Sequence, residues 1–188
     1  RFLVSYSLGL DISTSCTGWC VVTPDGSFVD MGYIPLSNKL SSYQKAQEMR
    51  DRLSLLHIKY DITKVYIEEN LQAFRPGFSS AKTLLTLARF NGIVGYLAQQ
   101  EFDCTPEYIN VNVARKAVGL KIISKKKGGK PTKEQVLDWV SSQVIYEWPE
   151  KVLRNGPRKG QSILEPGCFD SADAFVIATA GSKLADQQ

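Results

Sequence analysis

The sequence predicts an α/β fold, a mixed five-stranded sheet that is part antiparallel meander and part parallel, with helices on both faces. Three observations lead there. Three short apolar runs near the N-terminus are separated by tight-turn residues; after them, segments of helical periodicity alternate with brief strand-like runs; and the chain closes on an apolar helix. With 188 residues, 43% hydrophobic and 22% charged, the chain can bury a full core, and one domain over residues 1–188 is expected.

The first strand is expected from about Phe2 to Leu10 and the second from Thr17 to Thr23. Pro24-Asp25-Gly26 is a turn signal, and a third strand runs from Phe28 to Ile34. From about Ser41 to Tyr60, Ala46, Met49, Leu53, Leu56 and Ile58 recur near helical spacing, which makes a surface helix crossing the sheet. His57, the only histidine, falls late in that helix, where a helix-end or packing role is expected. A fourth strand, Lys64 to Glu68, is followed by a loop over Leu71 to Phe78, with Ser79-Ser80 as helix caps. The helix from Ala81 to Glu101 is apolar over much of its circumference, so deep burial or a partner subunit is expected around it. Tyr108-Ile109 reads as a short fifth strand, and a brief helix from near Asn112 to Val118 ends at Gly119. A lysine-rich loop leads to a helix from Thr132 to Ile145. Pro149 to Gly167 reads as a long loop, and Cys168 or Phe169 opens the last helix.

Within this frame one residue is out of place. Asp11 ends an apolar strand, before the small-residue turn Ser13-Thr14-Ser15, and an ionised carboxylate there is costly unless something pairs with it. Glu68 ends the run Val65-Tyr66-Ile67, and Asp170 and Asp173 open the final helix, one turn apart on one face. Four carboxylates without a cluster of His or Cys suit a hard cation, magnesium or manganese. Glu69 is the adjacent alternative to Glu68, but strand alternation sends it to the opposite face. Each acid also has a plainer reading: Asp170 as a helix cap, Asp173 favouring the helix dipole, Glu68 as a surface strand end.

Charge is unevenly placed. The chain carries +4 overall, yet Arg115, Lys116, Lys121, Lys125, Lys126, Lys127, Lys130 and Lys133 follow one another with no acid between them, so the remainder is net acidic. One basic segment on an acidic body points to a polyanion at one face, against the alternative of a solvated loop. Cys16, Cys20, Cys104 and Cys168 have no zinc-site spacing, and reduced thiols in an intracellular compartment are expected. No apolar run approaches the roughly 20 residues of a membrane span. The first residue is Arg1 rather than Met, which suggests processing or trimming.

The ordered set Gly9-Leu10-Asp11, Thr17-Gly18-Trp19, Ile67-Glu68 and Asp170-Ser171-Ala172-Asp173-Ala174 resembles the RuvC-type Holliday junction resolvases of the ribonuclease H-like superfamily, from about Leu3 to Ala180. That resemblance implies a ribonuclease H-like sheet with Asp11, Glu68, Asp170 and Asp173 as catalytic, metal-binding acids. It implies two Mg2+ or Mn2+ ions over a scissile phosphate, 5′-phosphate products, and a homodimer that nicks two opposed strands of a four-way DNA junction. The subunit contact would lie on the helix from Ala81 to Glu101. Arg115, Lys116, Lys121, Lys125, Lys126, Lys127, Lys130 and Lys133 would contact DNA phosphates. Bacterial members carry an aromatic wedge three residues after the strand glutamate, where this chain has Leu71; Phe74, next to Arg75, is the candidate replacement for stacking at the crossover. This departure and the longer loops suggest a phage or organellar branch. The expected setting is DNA-associated, in a bacterial or phage-infected cytoplasm or an organelle matrix.

Three other readings stand beside this one. A ribonuclease H-like nuclease could take another branched DNA or an RNA–DNA hybrid. The opening motif also resembles the phosphate hairpin of sugar kinases and actin-like ATPases, though no second Gly-rich phosphate loop is present. A non-catalytic nucleic-acid-binding module would need only the basic segment.

Overall fold

The computed structural model describes residues 4–69 and 80–187. Strands β1 (Tyr6–Asp11), β2 (Cys16–Val22) and β3 (Phe28–Pro35) form the antiparallel meander. Helix α1 (Ser42–Lys59) crosses over to β4 (Ile62–Glu68), which pairs parallel with β1. Helix α2 (Ala81–Phe102) leads to β5 (Glu107–Ile109), parallel to β4, and the sheet order is β3-β2-β1-β4-β5. Then come α3 (Val111–Ala117), a 3-10 turn at Lys125–Lys127, α4 (Thr132–Gln143), strands β6 (Glu150–Val152) and β7 (Ser162–Leu164), and α5 (Gly167–Ala185).

Strand alternation divides the core in two. Leu8, Leu10, Val21, Val65 and Ile67 point to the face covered by α1 and α2, where they bury against Met49, Leu53, Phe90 and Val94. Cys20, Val22, Met31 and Tyr66 point to the other face, against Val136 and Val140 of α4 and Ala174, Ile177 and Ala178 of α5. Each fully buried large aliphatic side chain contributes about 1.5–3 kcal/mol.

Helix α5 lies directly on the sheet because small residues let it. A Cβ on Gly9 would meet Ala174 O and Ala178 Cβ at 2.6 Å, and one on Gly18 would overlap the Asp170 carbonyl. Gly9 and Gly18 therefore fix how close, and at what height, the first turns of α5 sit over β1 and β2.

Three expectations change. Pro149 to Gly167 is a β6–β7 hairpin in place of a loop, with Lys151 paired to Ile163; its three-residue strands are too short to show an alternating pattern. Helix α5 starts at Gly167 with Pro166 at the cap, so Asp170 sits in the first turn and is no cap. Helix α2 is buried only over its second half, through Phe90, Val94, Ala98 and Phe102. Its first turns hold no buried residue, and Leu85 there is 67% exposed, whereas Phe90, Val94, Ala98 and Phe102 join the core beside α1 and β4. The expected loop with Leu71, Phe74 and Arg75 lies outside the described residues. His57 has a packing role: its Nδ1 lies 3.0 Å from Glu101, which also accepts from Ser54 at 2.8 Å, tying α1 to α2. All four cysteines are free. Among the described residues no helix is long and apolar enough to cross a membrane.

Candidate active site

Asp11 and Glu68 end adjacent parallel strands, one residue past the pair Leu10 and Ile67. Both follow the parity of residues facing α5, Asp11 that of Gly9 and Glu68 that of Tyr66, so both carboxylates emerge on the α5 side. Glu69 has the opposite parity, and its amide donates to Ile109 O at 2.9 Å. Asp11 faces Gly18 across the β1–β2 pair, and Gly18 is where the first turn of α5 lands. Asp170 and Asp173 are thereby brought over the ends of β1 and β4.

The four acids act on one another electrically. Burial, then the charges of Glu68, Asp173 and Asp170, push the Asp11 carboxyl well above the usual range. Burial raises Asp173 to about 7, with Glu68 and Asp170 adding to the rise and Arg115 opposing it. Glu68 is raised by burial and held back by Arg115. Asp170 is raised by burial and held back by a hydrogen bond from the Cys16 thiol, by its own backbone amide and by Lys133. The Cys16 thiol is pushed to about 12, by burial first and then by Asp170, so it remains a donor.

Among the described residues, no three His, Cys, Asp or Glu side chains close into a cage that could hold a metal ion as they stand. Like charges at this density repel. The donor set nevertheless fits a divalent cation: oxygen donors only, from three elements, with Asp11 and Asp173 raised by burial and then by neighbouring carboxylates, a charge balance that a bound cation would relieve.

Supporting contacts hold these acids in place. Lys45 of α1, buried, donates from Nζ to Thr14 O at 2.5 Å and braces the turn that follows Asp11. Within that turn Ser13 Oγ donates to Cys16 O at 2.6 Å and accepts from Cys16 N at 3.1 Å. Asn91 of α2, also buried, donates to Glu68 O at 3.4 Å. Sequence reasoning missed Lys45, Asn91 and Cys16. A lysine and an asparagine at core-facing helix positions were the available signal.

The basic residues distribute unevenly. Arg115 is half-buried and acts on Glu68 and Asp173, while Lys133 acts on Asp170 and lies 4.7 Å from the centre of the Phe169 ring. Arg115, Lys116 and Lys121 line a cleft of about 390 Å³ with Leu120 and Ile122. Lys125, Lys126 and Lys127 form the exposed 3-10 turn. Lys130 pairs with Asp138 at 3.2 Å, which neutralises part of its charge. Phe74 and Arg75 lie outside the described residues.

No protein-family model matches the chain. The crossover junction endodeoxyribonuclease RuvC of Aliarcobacter butzleri is 33% identical over 132 residues, which span 69% of this chain and 77% of that protein. Among solved structures, RuvC of Thermus thermophilus aligns with a TM-score of 0.62 at 16% identity, over 97% of this chain and 96% of its own. The same protein in complex with a Holliday junction substrate aligns with a TM-score of 0.59 at 14% identity, over the same shares. The yeast mitochondrial Holliday junction resolvase Ydc2 aligns with a TM-score of 0.59 at 18% identity, over 98% of this chain and 80% of that one.

Proposed function

Since the chain belongs to the RuvC family of crossover junction endodeoxyribonucleases, we propose that it resolves four-way DNA junctions by hydrolysing phosphodiester bonds at the four-acid centre. One observation carries the reading. Carboxylates from β1, β4 and α5 converge at one end of the sheet, where burial first and then the neighbouring carboxylates raise Asp11 and Asp173. A fold does not keep such a cluster for its own stability.

Asp11, Glu68, Asp170 and Asp173 would hold the metal, Mg2+ or Mn2+, as two ions per site. When bound, such ions supply Lewis-acid charge at the phosphate and at the attacking and leaving oxygens. The remaining work belongs to the chain. Arg115 and Lys133, both acting on the acids, are placed to receive the negative charge of an incoming phosphate and to hold it over the cluster. Lys116, Lys121, Lys125, Lys126 and Lys127 add phosphate contacts that set position and affinity without reading sequence. Water attacks phosphorus opposite the 3′ oxygen, which leaves with a proton, so the products are a 5′ phosphate and a 3′ hydroxyl. One domain, residues 1–188, carries the whole centre. A two-fold dimer, joined through the exposed first turns of α2, matches a substrate with two-fold symmetry and nicks opposed strands in pairs. Such an enzyme acts inside the cell where branched DNA arises.

The test is cleavage of a labelled mobile four-way junction with magnesium, beside linear duplex, flap and RNA–DNA hybrid, using the native protein and Asp11→Asn. Paired symmetric nicks on the junction, abolished by the substitution while binding persists, are expected. Preference for flap or hybrid would overturn the substrate, and no cutting of any of the four with magnesium or manganese would overturn the nuclease.

A further inference from the structure

Among the described residues, the β6–β7 hairpin is a basic feature that the acid centre and the lysine segment leave unused. From Glu150 to Leu164 it carries Lys151, Arg154, Arg158 and Lys159 against one acid, Glu150 at its root. Arg154, Arg158 and Lys159 are exposed at the tip. The tip is held in shape by its own backbone: Leu153 N donates to Gln161 O at 3.0 Å, Gly160 N to Leu153 O at 2.8 Å, and Gln161 N to Arg158 O at 3.1 Å. At the root, Glu165 N donates to Pro149 O at 2.8 Å, and the Glu165 carboxylate is answered by Lys151 at 3.8 Å. The bases therefore project from an ordered ribbon, with little ordering left to do on binding.

Its place on the sheet gives the ribbon a purpose. Asp11 faces Gly18, Gly18 faces Tyr33, and the Tyr33 ring packs against Gly167, directly after the hairpin. At about 4.8 Å per strand, Tyr33 lies about 10 Å from Asp11, and the hairpin root lies beyond it on the β3 side of the sheet. Arg115 acts on the same acids from α3, which follows β5 at the opposite edge. Bases thus flank the acid cluster on both sides. A duplex whose phosphate sits over the acids would carry its backbone onto the hairpin, and a two-stranded ribbon has the width to approach a groove.

We propose that the β6–β7 hairpin is a second contact for duplex DNA, in which Arg154, Arg158 and Lys159 bind backbone phosphates of the arm that leaves the acid centre on its β3 side. This rests on the junction reading above. The bases supply affinity and direct the arm; they do not touch the reacting phosphate.

The experiment measures four-way junction binding by the full chain in calcium, at salt from about 50 to 300 mM, for the native protein and for the triple variant Arg154→Gln, Arg158→Gln, Lys159→Gln. Each lost phosphate contact removes about 0.9 from the log–log salt slope, so the slope should flatten by about 2 to 3 and affinity should fall by about tenfold or more. The charge-preserving variant Arg154→Lys, Arg158→Lys, Lys159→Arg should keep the native slope. An unchanged slope and affinity in the triple variant would overturn the proposal, as would equal losses in the charge-preserving variant, which would mean shape and not charge. A native protein that neither binds nor cuts the junction would overturn the junction reading itself, and this assignment with it.

Discussion

Asp173 shows most clearly what the cluster costs. Its carboxyl titrates near 7 in the fold, held up by burial and by Glu68 and Asp170, against about 3.9 for an aspartate in an unfolded chain. Between those values the folded protein binds the extra proton, so stability without metal is greatest at the acid end and falls as pH rises through about 7. Thermal melts in EDTA should show the midpoint dropping between about pH 4 and 7, and added magnesium should remove most of the drop. The substitution Asp173→Asn should raise the metal-free midpoint at pH 7.5 by a few degrees while reducing junction cleavage more than 100-fold; a lower midpoint would mean that the carboxylate is stabilising after all. Asp11 stands out in the sequence because an acid at the end of an apolar strand breaks the pattern around it, whereas Glu68, Asp170 and Asp173 each carry a plainer reading when taken alone. Lys45, Asn91 and Cys16 were not legible there, since each acts through a contact made only when α1, α2 or α5 docks, Lys45 across 31 residues of chain.

At the scale of elements, the site depends on how α5 and α1 meet the sheet. Adding a methyl group at Gly18 forces α5 away from β2, where the Asp170 backbone leaves no room. Gly18→Ala should destabilise the protein by about 1–3 kcal/mol in urea unfolding and reduce cleavage even where the variant is fully folded. Lys45→Met removes the brace on the turn after Asp11 and leaves Thr14 O to find another partner. A loss of about 1–3 kcal/mol is expected, with kcat falling more than KM rises; an unchanged kcat would mean that the turn holds without it. The meander and the mixed sheet followed from strand-like runs and turn residues, and the observed strands match those runs closely. The hairpin before α5 escaped notice because three-residue strands rich in charge and bounded by Gly and Pro carry no alternation to read. Apolar residues all round α2 were read as deep burial or a partner surface, and the structure divides them into two zones: one covered by this chain and one left at the surface.

For the whole molecule, the exposed first turns of α2 and the two flanking basic regions fit a dimer lying on branched DNA. Leu85, two-thirds exposed, belongs to the surface expected at the subunit contact. Leu85→Glu should shift the protein to a monomer in sedimentation and convert paired nicks into single ones. Dimerisation unaffected by that change would place the contact elsewhere. If Asp11, Glu68, Asp170 and Asp173 form one metal centre, manganese titration followed by electron paramagnetic resonance should find about two bound ions per chain in the native protein, with binding lost or weakened at least tenfold in each of Asp11→Asn, Glu68→Gln, Asp170→Asn and Asp173→Asn. Native-like binding in any of the four would contradict it, because that acid would then stand outside the centre.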